Sequence, residues 1–301
     1  MRTVRNTLGL AAVVAITAGT LFALMTRDQP PVAPMPAPVV VRPAAPGLQW
    51  LQATGPAPAR APVAAPIVPL ADQVDRLLAT RDPVKAYAAY RLLDNCASFN
   101  RDGDRIVFDE DGVGVAVPVM RALSAAEKTH DAALCAGMTE RMRQSRLDYL
   151  AIAAQAGVPG AAVAMATEGP FGDRTALETR PADPLVQQWK ATVTAQLARA
   201  AGEGDLGVLH YLTGMRLGGD ALFAKDAAEA YRYGLALGMI QRDMHGADDV
   251  LGMLYRADSV LMRELATDLS EAQRATAVAD AGRIAEANRA KRRPAGEVQE
   301  P

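Results

Sequence analysis

Reactive or metal-ligating side chains are few in this 301-residue sequence: two cysteines, three histidines and a handful of clustered carboxylates. Cys96 and Cys135 are too far apart for the C-x-x-C pair of a dithiol redox centre. An even count at predicted helix ends points instead to a structural disulfide in an oxidising compartment; in a reducing one the same residues would be two buried thiols. Closing a loop of about 40 residues would contribute about 3–4 kcal/mol in the chain-entropy model and would pin the acidic stretch it encloses. That stretch holds Asp102, Asp104, Asp109, Glu110 and Asp111. It lacks the EF-hand spacing of calcium ligands and reads as a solvated hairpin tip.

His130, His210 and His245 lie far apart and form no zinc-ligand spacing. The acids around His245 (Asp243, Asp248 and Asp249) fit the start of a helix, where the dipole favours negative charge. No metal and no cofactor is therefore expected. Glu168-Gly169-Pro170-Phe171-Gly172-Asp173 could offer the carboxylate pair of a glycoside hydrolase, which makes a cell-wall glycan hydrolase using Glu168 or Asp173 the alternative reading. An inter-repeat turn explains the same glycines and proline without chemistry. Nucleophile-elbow, phosphate-loop and dinucleotide motifs are missing, so an enzyme is not the expected class.

These residues must be carried by some scaffold, and composition says which. Hydrophobic residues make up 50% of the chain but aromatics only 5%, and much of the remainder is alanine. Alanine is the best helix former, while strands favour the β-branched and aromatic residues that are sparse beyond position 70. The expected class is all-α with close small-residue packing. Formal net charge is −2 and pI about 6.0. No basic stripe with interleaved aromatics is present, so nucleic acid is not an expected partner. Lys291-Arg292-Arg293 reads as a solvated tail.

Four regions follow from the pattern. In residues 1–27, Arg2 and Arg5 precede an apolar run from Leu8 to Met25. As a helix it would span about 27 Å, close to the hydrocarbon thickness of a bilayer. Good small-x-small cleavage signals are lacking after it, which favours a retained single-pass anchor over a cleaved signal, with the domain on the periplasmic side of a bacterial inner membrane. Residues 28–69 are dominated by Pro, Ala and Val and predict an extended tether with a reach on the order of 100 Å. Its apolar island Leu48-Gln49-Trp50-Leu51 either docks a partner or packs on its own domain. Residues 70–292 form the predicted helical domain, and 293–301 a tail.

Within the domain, Asp82-Pro83 and Asp183-Pro184 pair an N-cap with proline at the first helical position, and Ser124/Glu127 and Ser270/Gln273 have capping-box spacing. Helices are expected over 70–80, 83–97, 115–130, 140–156, 159–168, 184–203, 205–217, 224–238, 245–266 and 271–290. An acidic loop or short hairpin is expected from Asn100 to Gly114.

The sequence also repeats itself. The segment from Tyr149 aligns at constant offset with that from Gln196: Leu150 with Leu197, Ala153-Ala154 with Ala200-Ala201, Gly157 with Gly204, Gly172 with Gly219, and Asp173 with Asp220. Asp82, Ala86 and Tyr87 are echoed by Asp226, Ala230 and Tyr231. Tyr149, Ala153, Ala154, Gly157, Ala161, Met165 and Gly172, followed in part by Ala200, Ala201, Gly204, Leu212, Gly219, Asp226, Ala230 and Tyr233, resemble the Sel-one-like repeat family, a relative of the tetratricopeptide repeats. The likeness covers about Leu147 to Gly238, with Gln196, Val208 and Leu237-Gly238 departing from the pattern. It implies an α-α superhelix, or solenoid, of helix-turn-helix units whose concave face binds a protein or peptide partner. Tyr211, Arg216, Tyr231 and Tyr233 are the candidate groove residues.

Overall fold

A computed structural model describes residues 67–109 and 119–293. The expected anchor, nearly all of the tether and the last residues of the tail lie outside them, as do Glu110 and Asp111. Helices α1 (Leu70–Leu78) and α2 (Pro83–Asp102) lead into a two-stranded antiparallel hairpin of β1 (Ile106–Asp109) and β2 (Val119–Ala122), with Ile106 opposite Ala122. Then come α3 (Ala125–Cys135), α4 (Glu140–Gln155) and α5 (Ala161–Glu168), a 3-10 turn at Pro170–Gly172, and the one-turn α6 (Ala176–Thr179). The chain continues through α7 (Pro184–Gly202), α8 (Leu206–Gly218), α9 (Ala227–His245), α10 (Val250–Leu254), α11 (Val260–Leu265) and α12 (Glu271–Arg292). Apart from the hairpin, the described residues are all-α.

The helix starts follow local chemistry. Asp82 Oδ1 accepts from Val84 N at 2.8 Å and Asp183 Oδ1 from Leu185 N at 2.9 Å, each ahead of a proline that has no amide hydrogen to donate. Ser124 and Ser270 both close capping boxes, with Glu127 and Gln273 respectively. Two expected helices are corrected. The span 115–130 does not form one helix: Val119–Ala122 pairs with β1, and the helix begins only after the Ser124 cap and runs on to Cys135. The expected 245–266 helix is two short ones. Gly246, at φ 98°, ends α9 at His245, Asp249 caps α10, and Ser259 caps α11. Backbone amides that a continuous helix would use are satisfied by these side chains instead.

The two aligned units are helical hairpins, α4–α5 and α7–α8. Leu150 and Leu197 are both buried, and Gly157 and Gly204 both take the left-handed conformation that reverses the chain between the paired helices. The closest helix pairs are α9 with α12, α2 with α4, and α8 with α9. α12 also returns to α7: Asn288 Nδ2 donates to the Gly204 carbonyl at 2.9 Å, and Lys291 meets Glu203 at 2.5 Å. A Cβ at Gly204 would sit 2.6 Å from that of Asn288, so glycine is required there for the contact as well as for φ. Lys291 is thus tied down at the end of a helix rather than in a free tail.

Three apolar clusters fill the fold. The largest runs from α5 to α12 and includes Leu197, Leu209, Leu237, Ile240 and Met262. A smaller one joins α1, α2 and α3 through Leu70, Leu93, Phe99 and Leu134. The third, around Tyr90, Leu150, Ala153, Ala154 and Ala161, links α2 to the first hairpin unit.

Candidate functional site

Where α7, α8 and the loop into α9 meet, a groove of about 500 Å³ opens. Its wall on α7 is Ala191, Ala195 and Ala198, three exposed alanines at helical spacing, with Thr194 and the buried Leu197 between them. Leu212 and Arg216 come from α8, Leu222 and Phe223 from the loop, and Tyr233 from α9. The loop is shaped by Asp220, whose Oδ1 accepts from the amides of Leu222 at 2.9 Å and Phe223 at 2.7 Å. This local turn buries both apolar side chains. Arg174 grips the other oxygen of Asp220 and donates to the Ala166 carbonyl at 2.6 Å, tying the loop to α5.

Cations stand against rings in the groove lining and beside it. The Arg216 guanidinium stands 4.7 Å from the Phe223 ring centroid, and Arg232 stands 4.4 Å from that of Tyr233. Glu229 is shared between them, 2.8 Å from Arg216 and 2.6 Å from Arg232. Tyr211 meets Phe223 edge-on with centroids 6.5 Å apart. Burial raises the Tyr211 and Tyr233 hydroxyls above the ordinary phenol range, against the opposing pull of Arg174 and Arg232 respectively, so both rings stay neutral. Two of the four expected groove residues, Arg216 and Tyr233, line it. Tyr211 lies edge-on against Phe223, and Tyr231, in the same core as Tyr233, does not reach the groove, because residues two apart on a helix face different sides. Sequence reasoning missed Phe223 and Glu229; the signal for Phe223 was Asp220, an acid two residues before an apolar pair in a glycine-led turn.

A second polar cluster lies at the junction of α2, α4 and α5. Glu168 is almost buried and takes Arg146 on one oxygen at 2.7 Å and the Tyr90 hydroxyl on the other at 3.0 Å. Asp94 faces the same guanidinium at 3.7 Å. Burial raises the Glu168 carboxyl above its usual range; Arg146 opposes this and Asp94 reinforces it. Asp173, the other acid of the alternative reading, accepts from Thr175 N at 3.0 Å and Oγ1 at 2.6 Å. It shapes a turn while Glu168 joins helices.

Cys96 and Cys135 sit at disulfide-bonding distance, S–S 2.01 Å, with both residues buried and Cα atoms 5.0 Å apart. Asn100 Nδ2 donates to the Cys135 carbonyl at 3.1 Å. Among the described residues no cluster of His, Cys, Asp and Glu could hold a metal ion, and no helix is long and apolar enough to cross a membrane. Of the acidic stretch, Asp104 pairs with Lys128 at 2.5 Å and Asp102 with Arg101 at 3.1 Å. The chain matches no protein-family model, no curated protein and no solved structure.

Proposed function

We propose that this chain is a helical-repeat scaffold of the Sel-one-like kind, held at a bacterial inner membrane by its N-terminal segment and binding a protein or peptide partner on its periplasmic side. The groove between α7, α8 and the loop before α9 carries this reading. It is an open, largely apolar surface whose rings and guanidinium groups are already held in place. Preformed aromatic and arginine side chains are what binding hot spots use, because little entropy is lost when a partner arrives. The Cys96–Cys135 pair supports an oxidising compartment, where such bonds persist.

A photo-crosslinking residue placed at Ala195 and, as control, at the exposed Val278 of α12 tests the groove in intact cells. A discrete adduct at Ala195 and none at Val278 is expected; equal labelling at both, or none at either, would refute the reading. Mass spectrometry of the non-reduced native protein tests its placement. An intact N-terminus with Cys96 linked to Cys135 is expected, and free thiols on a soluble chain would put the domain inside the cell.

The raised proton affinity of Glu168, a property of general acids, favours the second reading, a glycan hydrolase. Its engagement by Arg146 and Tyr90 favours a structural role. Glu168→Gln should therefore leave glycan release from purified cell wall at the level of the unaltered protein, and loss of such release would establish the hydrolase.

A further inference from the structure

The two helices that form the groove contain no acidic residue. Between Pro184 and Gly202 the charged side chains are Lys190 and Arg199, and between Leu206 and Gly218 the fixed charge is Arg216. Acids do border the groove, but each is already committed. Asp220 is held by Arg174 and by the Leu222 and Phe223 amides, Asp226 caps α9 through the Glu229 amide at 3.0 Å, and Glu229 lies between Arg216 and Arg232. The cations are not matched in the same way. Lys190, one residue before the groove alanine Ala191, sends its ammonium to the Ala221 carbonyl at 3.0 Å, and exposed Lys225 follows groove residue Ala224. Among the described residues neither lysine has a carboxylate within ion-pair distance. A protein with net charge −2 thus presents an apolar trough whose lining residues Ala191 and Ala224 are each next in sequence to a lysine without a carboxylate partner.

We propose that the groove receives an acidic peptide segment of a partner protein, one in which an aliphatic or aromatic side chain is flanked by carboxylates. The apolar side chain lies along the alanine face of α7 towards Phe223 and Leu222, where the small side chains Ala191, Thr194, Ala195 and Ala198 allow close backbone approach. The flanking carboxylates meet Lys190 and Lys225 without having to displace an existing ion pair. A basic segment would find only Asp226 without a cation partner, a carboxylate already engaged in capping α9, and would bring like charges together at Lys190 and Lys225, which selects against it. This inference rests on the groove being the binding site and adds the chemistry of what it binds.

The test is selection of random phage-displayed dodecapeptides on the full-length protein in detergent micelles at about 50 mM salt, where charge steering is least screened. Enrichment of sequences combining Asp or Glu with Phe, Tyr, Trp or Leu is expected. A synthetic peptide of that type should bind about ten-fold more weakly to a Lys190→Glu/Lys225→Glu protein and weaken steeply as salt rises. Lys225→Glu alone, at an exposed position whose ammonium has no ion-pair partner among the described residues, should weaken it by a smaller factor in the same direction. Ala195→Trp, which fills the groove and leaves every charge in place, should abolish binding. Selected peptides that are neutral or basic, or binding indifferent to the lysine reversals yet lost in Ala195→Trp, would overturn the acidic partner and leave the groove intact. Binding that survives Ala195→Trp, or no enrichment at all, would overturn both.

Discussion

The two ends of the described domain hold themselves together by different means. From α1 to α3 the apolar cluster is small, and a two-stranded hairpin is inserted between α2 and α3. Covalent and ionic ties supplement it: the Cys96–Cys135 link, Arg105 to the nearly buried Asp131 at 2.8 Å, and Arg121 to Glu127 at 2.8 Å. From α7 to α12 one larger apolar core wraps α9, with Leu197, Leu209, Leu237, Ile240 and Met262 wholly inside, and it contains no cysteine. Burying apolar surface grows more effective as a core enlarges, so the larger end does without a crosslink and the smaller one gains most from it.

The largest expected effect breaks this comparison at its weaker end. Replacing Cys96 and Cys135 by serine should destabilise α1–α3 and the hairpin by about 3–4 kcal/mol. Limited proteolysis followed by mass spectrometry should show new cuts between Leu70 and Cys135, while α7 to α12 stays protected. Uniform loss of protection along the chain would show that the two ends unfold as one.

A smaller effect probes the larger core. A Cβ on Gly238 would come within 2.7 Å of the Tyr255 carbonyl oxygen, whereas one on Gly214 of α8 would meet nothing within 4 Å. Gly238→Ala should therefore lower the urea-unfolding free energy by about 1–3 kcal/mol. Gly214→Ala should raise it by up to about 1 kcal/mol, the helix-propensity gain of alanine. Equal effects at both sites would mean that α9 does not press on the α10–α11 segment as closely as the geometry requires.

The smallest effect is a difference in pH response. Hydrogen bonds from Lys128 and from Arg121 hold the Asp104 and Glu127 carboxyls below their ordinary range. Their contribution is present above that range and is lost as pH falls through the lowered values. Glu168, raised mainly by burial, behaves in the opposite way: its contribution is present below the ordinary carboxyl range and is lost as pH rises through the elevated value. Mild acidification from neutral pH should thus firm the α2–α4–α5 junction before it loosens the hairpin. Thermal melts across pH should show the first effect vanish in Glu168→Gln and the second diminish in Glu127→Gln. A Glu168→Gln melt that tracks the unaltered protein at every pH would remove Glu168 from the account.

Much of the helical framework was legible in the sequence because its signals act over a few residues. Asp82, Asp183, Ser124 and Ser270 satisfy amides two or three positions ahead, and Gly157 and Gly204 reverse the chain by their own φ. The pairing of Cys96 with Cys135 was legible too, since two cysteines allow one intrachain bond. The hairpin strand at Val119–Ala122 was masked by an apolar run that suits a helix equally well until a partner strand is supplied. The break near Gly246 was readable in principle from Asp249 and Ser259, but a cap and a mid-helix polar residue look alike until the backbone between them is known.

By itself, then, the sequence determined where many of the helices start and turn, that the class is α, and that the aligned hairpins share a plan. Only the tertiary structure decided that Arg146 would join Asp94 to Glu168, that Asn288 would reach Gly204, and that Arg216 would cover Phe223 while Tyr231 turned inward. The physical reason is range. A cap or a glycine turn is fixed by neighbours along the chain, whereas an ion pair or a groove wall depends on how distant helices pack, and packing is set by the whole core at once.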